Sequence, residues 1–182
     1  AAVTNVKPGD FVVGSFCASC GECEICQAGY PSRCQRAIEA GEAYVRGAQA
    51  EYLRVPFADG TLVATPSKPD PELIPDLLAA SDVLGTGWFA ADAAGAAAGK
   101  TIAVVGDGAV GLGAVIGAAQ LGAERVIAMS RHEARAKLAR EFGATDVVAE
   151  RGEEGAAKVK ELTGGYGAHG TAEAVGTEQA MQ

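Results

Sequence analysis

The sequence has few positively charged residues. It contains 15 Lys and Arg residues against 23 Asp and Glu residues, so the net charge is −8. A surface of that sign does not attract a phosphate backbone, so we expect no nucleic-acid partner. Long apolar runs are also missing, because Asp92 interrupts the short alanine-rich stretch 89–98. We therefore expect no membrane-spanning segment and no membrane partner. Residues 1–10 lack the basic start and apolar block of a signal peptide.

Cysteine is absent outside one short segment, since all five cysteines lie between Cys17 and Cys34. An odd number at tight spacing, without an export signal, favours metal binding over disulfides and predicts a cytoplasmic, reducing environment. Cys20, Cys23, Cys26 and Cys34 have the spacing C-x2-C-x2-C-x7-C. Four thiolates suit tetrahedral zinc and leave no open coordination position, so the predicted site is structural rather than catalytic.

Two alternatives to zinc remain at this point. The run from Cys17 to Cys26 resembles an iron–sulfur pattern, but that pattern needs a fourth cysteine after three residues and then proline. Here the last gap is two residues and Gln27 follows. The thiols could also be unliganded, and we interpret Cys17 as a spare thiol that acts as a small apolar residue.

Apolar periodicity predicts an α/β chain with two parts. From residue 101 onward, strands are predicted over 102–105, 125–129, 146–148 and 171–175, with helices over 109–121, 133–142 and 155–162. Such alternation indicates a parallel sheet. Upstream, the predicted strands are 11–13, 49–56 and 62–64, and helix is predicted over 76–98 with a break at 85–87. The expected domains are 1–75, with a zinc lobe at about 15–40, and 76–182.

A glycine-rich turn follows the first strand of the second part. It matches G-x-G-x-x-G and consists of Gly106, Asp107, Gly108, Ala109, Val110 and Gly111. Between a strand and a helix this motif predicts a dinucleotide site, in which the first glycine permits the turn, the second admits the pyrophosphate and the third allows close helix packing. The alternative is a tight turn without a ligand.

The end of the second predicted strand bears on the choice of dinucleotide. A NAD site usually has an acidic residue there, about 20 positions after the glycines. This sequence has Ser130, Arg131 and His132 instead. A hydroxyl and a guanidinium would accept a 2′-phosphate through charge-assisted hydrogen bonds, so we predict NADP(H) over NAD(H). Alternatively, Arg131 and His132 are ordinary solvated surface residues.

These motifs, in this order, resemble the zinc-dependent medium-chain alcohol dehydrogenases. The resemblance covers nearly the whole chain and includes the cysteine segment, the glycine-rich turn and residues 6–12, 50–56, 85–87 and 173–176. It implies a remnant of a GroES-like β-barrel domain with the structural zinc lobe, followed by a partial Rossmann-type parallel sheet. It also implies an oxidoreductase that transfers hydride between a small alcohol or aldehyde and a nicotinamide cofactor, in a homo-oligomeric parent protein. Zinc-free quinone reductases share the cofactor domain but lack the cysteine lobe.

The resemblance suggests a role for Asp82. In that family a second, catalytic zinc polarises the alcohol oxygen, and one of its ligands is a Cys or Asp that precedes the Gly-Thr-Gly junction. Asp82 lies at the matching place, and a carboxylate is a competent zinc ligand. The alternative is that Asp82 caps the helix that follows Ser81.

Parts of the family pattern have no counterpart in this sequence. The first catalytic cysteine and the Gly-His-Glu segment precede the family's version of residues 6–10, and neither His132 nor His169 occupies the missing ligand's place. Two of the six strands of a full dinucleotide domain are also missing. We therefore expect a fragment with an open sheet edge, unknown catalytic residues and no activity alone. A non-catalytic zinc- and nucleotide-binding module is the alternative function.

Overall fold

The computed structural model describes residues 3–181. The chain divides into two units, Ala1–Asp82 and Val83–Gln182. Within the described residues, no helix is long and apolar enough to cross a membrane.

The first unit contains little regular sheet. Strand β1 (Val12–Gly14) pairs antiparallel with β2 (Leu62–Ala64), so that Val13 lies opposite Val63. The other elements are short helices: α1 (Glu24–Gln27), a 3-10 turn (Pro31–Arg33), α2 (Gln35–Glu39), α3 (Ala58–Thr61), a second 3-10 turn (Pro71–Leu73) and α4 (Ile74–Ala80).

The prediction of a strand over residues 49–56 is wrong. This segment is irregular and pairs with no other strand in the described chain. Tyr52 is 91% exposed, so the alternation of apolar and polar residues there does not reflect a buried face. A strand needs a partner for its backbone groups, and sequence alternation alone does not supply one.

The second unit is a four-stranded parallel sheet with helices between its strands. After α5 (Val83–Ala93) come β3 (Thr101–Val105), α6 (Ala109–Gln120), β4 (Arg125–Met129), α7 (Glu133–Glu141), β5 (Asp146–Val148), α8 (Gly152–Leu162), β6 (Gly170–Glu173) and α9 (Glu178–Met181). The strand order is β5-β4-β3-β6, all parallel. This is the 3-2-1-4 part of the dinucleotide-binding order, so the predicted parallel sheet is confirmed.

The sheet is buried on both faces, which explains the continuous apolar runs of its central strands. On one face Ile102, Val104 and Val126 pack with the small residues of α6, such as Ala114 and Ala118. On the opposite face, a separate cluster of apolar side chains lies between the sheet and α8. It consists of Ile127, Met129 and Val148 from the strands and Val159 from α8. The carboxyl ends of β3 and β4 are thereby fixed side by side, where the glycine-rich turn and Ser130 begin.

Glycines allow α5 and α6 to approach closely. A Cβ at Gly87 would lie 2.5 Å from the Ala114 nitrogen, and one at Gly117 would lie 2.9 Å from the Trp88 Cα. The predicted break at 85–87 is therefore wrong: α5 runs through these residues, and the interruption lies before Val83. Helix packing outweighs the low helix propensity of glycine at this position.

Gly85 and Gly87, both in α5, provide a matched pair of substitutions. We expect Gly87→Ala to destabilise the second unit by about 1–3 kcal/mol, because its methyl group would collide with the α6 backbone. A Cβ at Gly85 would meet nothing within 4 Å. Gly85→Ala should therefore stabilise the helix by up to about 1 kcal/mol. Urea unfolding followed by circular dichroism measures both. Equal stability of the two variants would show that the α5–α6 contact is not as tight as described.

Candidate metal and cofactor sites

The sulfurs of Cys20, Cys23, Cys26 and Cys34 form one cluster in the first unit. All four lie within 4.8 Å of one another. The Cys23 sulfur is 3.5 Å from that of Cys26 and 3.9 Å from that of Cys34. Tetrahedral zinc with Zn–S bonds of about 2.3 Å requires sulfur–sulfur distances of about 3.8 Å. The donor set and its spacing therefore fit a zinc ion.

Backbone N–H groups orient the sulfurs of this cluster. The Cys20 N–H donates to the Cys34 sulfur at 3.2 Å, and the Ala37 N–H donates to the same sulfur at 3.4 Å. The Cys23 N–H donates to the Cys20 sulfur at 3.3 Å. Such bonds favour the ionised sulfur, which is the form that binds metal.

The cysteine pKa values show why the cluster suits a cation. A backbone hydrogen bond at Cys26 lowers the pKa of Cys23 to about 6. Burial opposes ionisation of Cys34, but the N–H groups of Cys20 and Ala37 outweigh it and lower its pKa. Burial raises the pKa of Cys26 to about 12, with a further contribution from Cys23. The sulfurs thus do not all ionise together unaided, and a bound dication would supply the missing compensation.

In the glycine-rich turn, two of the three glycines are required by the chain itself. Gly106 has φ = +113°, and a Cβ there would lie 2.9 Å from a Val175 methyl carbon. A Cβ at Gly111 would lie 2.8 Å from the Gly106 carbonyl carbon. These two positions explain the turn and the close approach of α6 to the sheet without reference to any ligand.

Gly108 differs from the other two glycines of the turn. A Cβ at Gly108 would meet nothing within 4 Å, and its backbone, with φ = −75°, is accessible to any residue. It is the N-cap of α6 and provides no side-chain cap. The N–H groups of the first helical turn have no acceptor within a helix, and they carry the positive end of the helix dipole. The turn therefore presents N–H donors beside open space, which is the geometry that binds a pyrophosphate.

At the end of β4 the structure places a carboxylate next to Ser130. The Ser130 hydroxyl donates to Asp107 at 2.7 Å, and Asp107 also pairs with Arg135 at 3.1 Å. The Ser130 side chain is fully buried. A hydroxyl has one proton, so Ser130 has none left to donate to a phosphate while this bond is made.

The other two residues predicted at this strand end are exposed. Arg131 has no carboxylate partner within residues 3–181, and His132 is the N-cap of α7. Arg131 lines a cavity of about 490 Å³ in the second unit, together with Arg151 and Val175. The contact of Arg135 with Asp107 could not be predicted from the sequence, because Arg135 lies two residues into a helix and Asp107 is 28 positions earlier.

Two family profiles match the chain. The profile described as an alcohol dehydrogenase GroES-like domain matches residues 1–67, and the one described as a zinc-binding dehydrogenase matches residues 109–182. The chain belongs to the zinc-dependent medium-chain alcohol dehydrogenases.

Curated and solved members of this alcohol dehydrogenase family align with nearly the whole chain. Zinc-type alcohol dehydrogenase B of Aspergillus flavus is 37% identical over 187 residues, which cover 99% of this chain and 43% of that protein. Zinc-dependent alcohol dehydrogenase 2 of Streptococcus pneumonia, in its apo form, has a TM-score of 0.83 and 32% identity, covering 99% of this chain and 50% of that one. A zinc-binding dehydrogenase of Sinorhizobium meliloti bound to NADP has a TM-score of 0.71 and 29% identity. The match covers 100% of this chain and 52% of that one. The chain thus spans about half the length of these relatives.

Asp82 is exposed and lies between α4 and α5. It does not belong to the cysteine cluster, which is the one group within residues 3–181 that brings three or more potential ligand atoms near a single point. Cys17 also lies outside the cluster, is half-buried, and pairs as an isolated bridge with Tyr44. Burial raises the pKa of the Cys17 thiol, and the charge of Asp82 adds to the effect.

Proposed function

We propose that the intact protein is a zinc-dependent alcohol dehydrogenase that transfers hydride between a small alcohol or aldehyde and NADP(H), as a homo-oligomer. The observation that carries the proposal is the open space at Gly108, at the start of α6. The turn needs glycine at Gly106 and Gly111 for its own packing. No contact within the chain requires a glycine at Gly108, and the missing side chain there leaves room for the pyrophosphate to approach.

The adenosine end of the dinucleotide would lie beside the carboxyl ends of the strands. The cavity lined by Arg131, Arg151 and Val175 has the volume of a small-molecule site. Arg131 lies two residues after the end of β4 and forms no ion pair with a carboxylate within residues 3–181. It would bind a 2′-phosphate, with His132 adjacent. The related dehydrogenase that was solved with NADP supports this assignment.

The cysteine cluster would hold the structural zinc, and Asp82 would be one ligand of a catalytic zinc in the intact protein. That second zinc would supply Lewis-acid polarisation of the alcohol oxygen. Among residues 3–181, the cysteine cluster is the one group of three or more potential metal ligands, and Asp82 is not a member of it. We therefore propose that these 182 residues alone bind one zinc and a dinucleotide without turnover.

Calorimetric titration with NADP+ and NAD+ tests the cofactor assignment. We expect NADP+ to bind at least tenfold more tightly, because one hydrogen bond between charged groups contributes about 1.5–3 kcal/mol. Arg131→Gln should remove this preference and leave NAD+ affinity within about twofold, so NAD+ serves as the internal control. Tighter binding of NAD+ by the unaltered chain would overturn the NADP(H) assignment, and binding of neither would overturn the dinucleotide site.

A further inference from the structure

The contact between Asp107 and Arg135 lies where a dinucleotide site normally distinguishes its two cofactors. A carboxylate at the end of the second strand accepts hydrogen bonds from ribose hydroxyls and repels a 2′-phosphate. β4 has no carboxylate at this end, but Asp107 reaches it from the preceding turn and lies 2.7 Å from the Ser130 hydroxyl. The strand end therefore contains both a carboxylate and the cation Arg131.

Arg135 changes the effect of that carboxylate. Its guanidinium lies 3.1 Å from Asp107, whose side chain is only 9% exposed. Burial works against ionisation of Asp107, yet its hydrogen bonds to Ser130 and Arg135 lower its pKa overall. Asp107 is thus ionised at neutral pH, and Arg135 compensates its negative charge. Arg135 lies outside the nucleotide-binding motif.

We propose that Asp107 and Arg135 form a selectivity pair, in which Arg135 masks a carboxylate that would otherwise exclude a 2′-phosphate. The inference rests on the proposed dinucleotide function and adds a specificity determinant to it. With the pair intact, Arg131 acts on the cofactor as an unopposed positive charge. Without Arg135, the charges of Asp107 and Arg131 offset each other, and the preference for NADP(H) declines. Arg135 is a positioning residue, since it acts through Asp107.

The test is a set of variants of the full-length, zinc-loaded protein, each titrated with NADP+ and with NAD+. We expect Arg135→Gln to weaken NADP+ binding roughly tenfold, because it uncovers one negative charge beside the phosphate, and to change NAD+ binding by less than about twofold. Asp107→Asn in the same background removes the uncovered charge and should restore most of the lost NADP+ affinity. Arg135→Lys keeps the positive charge and should retain the preference.

Arg140→Gln is the matched control, since it makes the same charge change on α7 about 7.5 Å further along the helix axis. High salt should reduce the effect of Arg135→Gln, because the interaction is electrostatic. If Arg135→Gln weakens both dinucleotides equally, or if the double variant does not recover NADP+ affinity, the selectivity pair is refuted while the dinucleotide site stands. If the unaltered protein binds neither dinucleotide, the proposed function fails and the pair with it.

Discussion

Cys34→Ser is expected to release the zinc and unfold the segment of about residues 15–40. Cys34 is the cluster's buried sulfur, and it accepts two backbone N–H bonds as well as supplying a ligand. Within the part of the chain that the structure describes, its apolar neighbours are the buried Ala18 and Ala37 and the partly buried Val45 and Phe57. These are too few to hold short helices such as α1 and α2 without a metal. Zinc binding in small sites contributes about 10–16 kcal/mol at neutral pH, which exceeds the whole stability of many domains.

Cys17→Ser is the matched control for this experiment. It removes a thiol from the same segment, but Cys17 lies outside the cluster. The measurements are the zinc content per chain and the rate of proteolysis within residues 21–40. We expect one zinc per chain in the unaltered protein and in Cys17→Ser, and none in Cys34→Ser, with faster cleavage only in the last. Full zinc retention by Cys34→Ser would contradict the four-sulfur site.

The part of the fold that depends on local pattern could be predicted from the sequence. The bounds of β4 and β5 agree with prediction because continuous apolar runs such as 125–129 mark strands that are buried on both faces. The four cluster sulfurs lie together because ligand spacing along a short loop leaves the chain little choice. Parallel pairing also follows, since a helix between consecutive strands carries the chain back to the same end of the sheet.

What could not be predicted depends on contacts between distant residues. Gly87 weakens a helix in isolation, and only the approach of α6 explains why α5 continues through it. Tyr52 lies in an alternating segment, but no strand is available within the described chain to pair with it. The side chain of Asp107 reaches Ser130 and Arg135 only because β3 and β4 are neighbours in the sheet. The sequence motif indicated the backbone of the turn and not the direction of its one charged side chain.

The glycine-rich turn gives the second large effect, at Gly108. Gly108→Ala should fold as well as the unaltered protein, because the added methyl group meets nothing within 4 Å and φ is already negative. In the proposed complex the same methyl group stands where the pyrophosphate approaches the α6 N-terminus. Loss of one charge-assisted hydrogen bond costs about 1.5–3 kcal/mol, so we expect roughly 10- to 150-fold weaker binding of both dinucleotides.

Comparison with Gly111→Ala separates binding from folding in this turn. A methyl group at Gly111 would lie 2.8 Å from the Gly106 carbonyl carbon, so this variant should lose stability by about 1–3 kcal/mol before any effect on binding is considered. Thermal unfolding without ligand and calorimetric titration with NADP+ distinguish the two variants. Gly108→Ala should keep its melting temperature and lose affinity, whereas Gly111→Ala should melt earlier. If Gly108→Ala binds NADP+ as tightly as the unaltered chain, the space beside α6 is not where the pyrophosphate lies, because a phosphate within hydrogen-bonding distance of these N–H groups cannot share that volume with a methyl group.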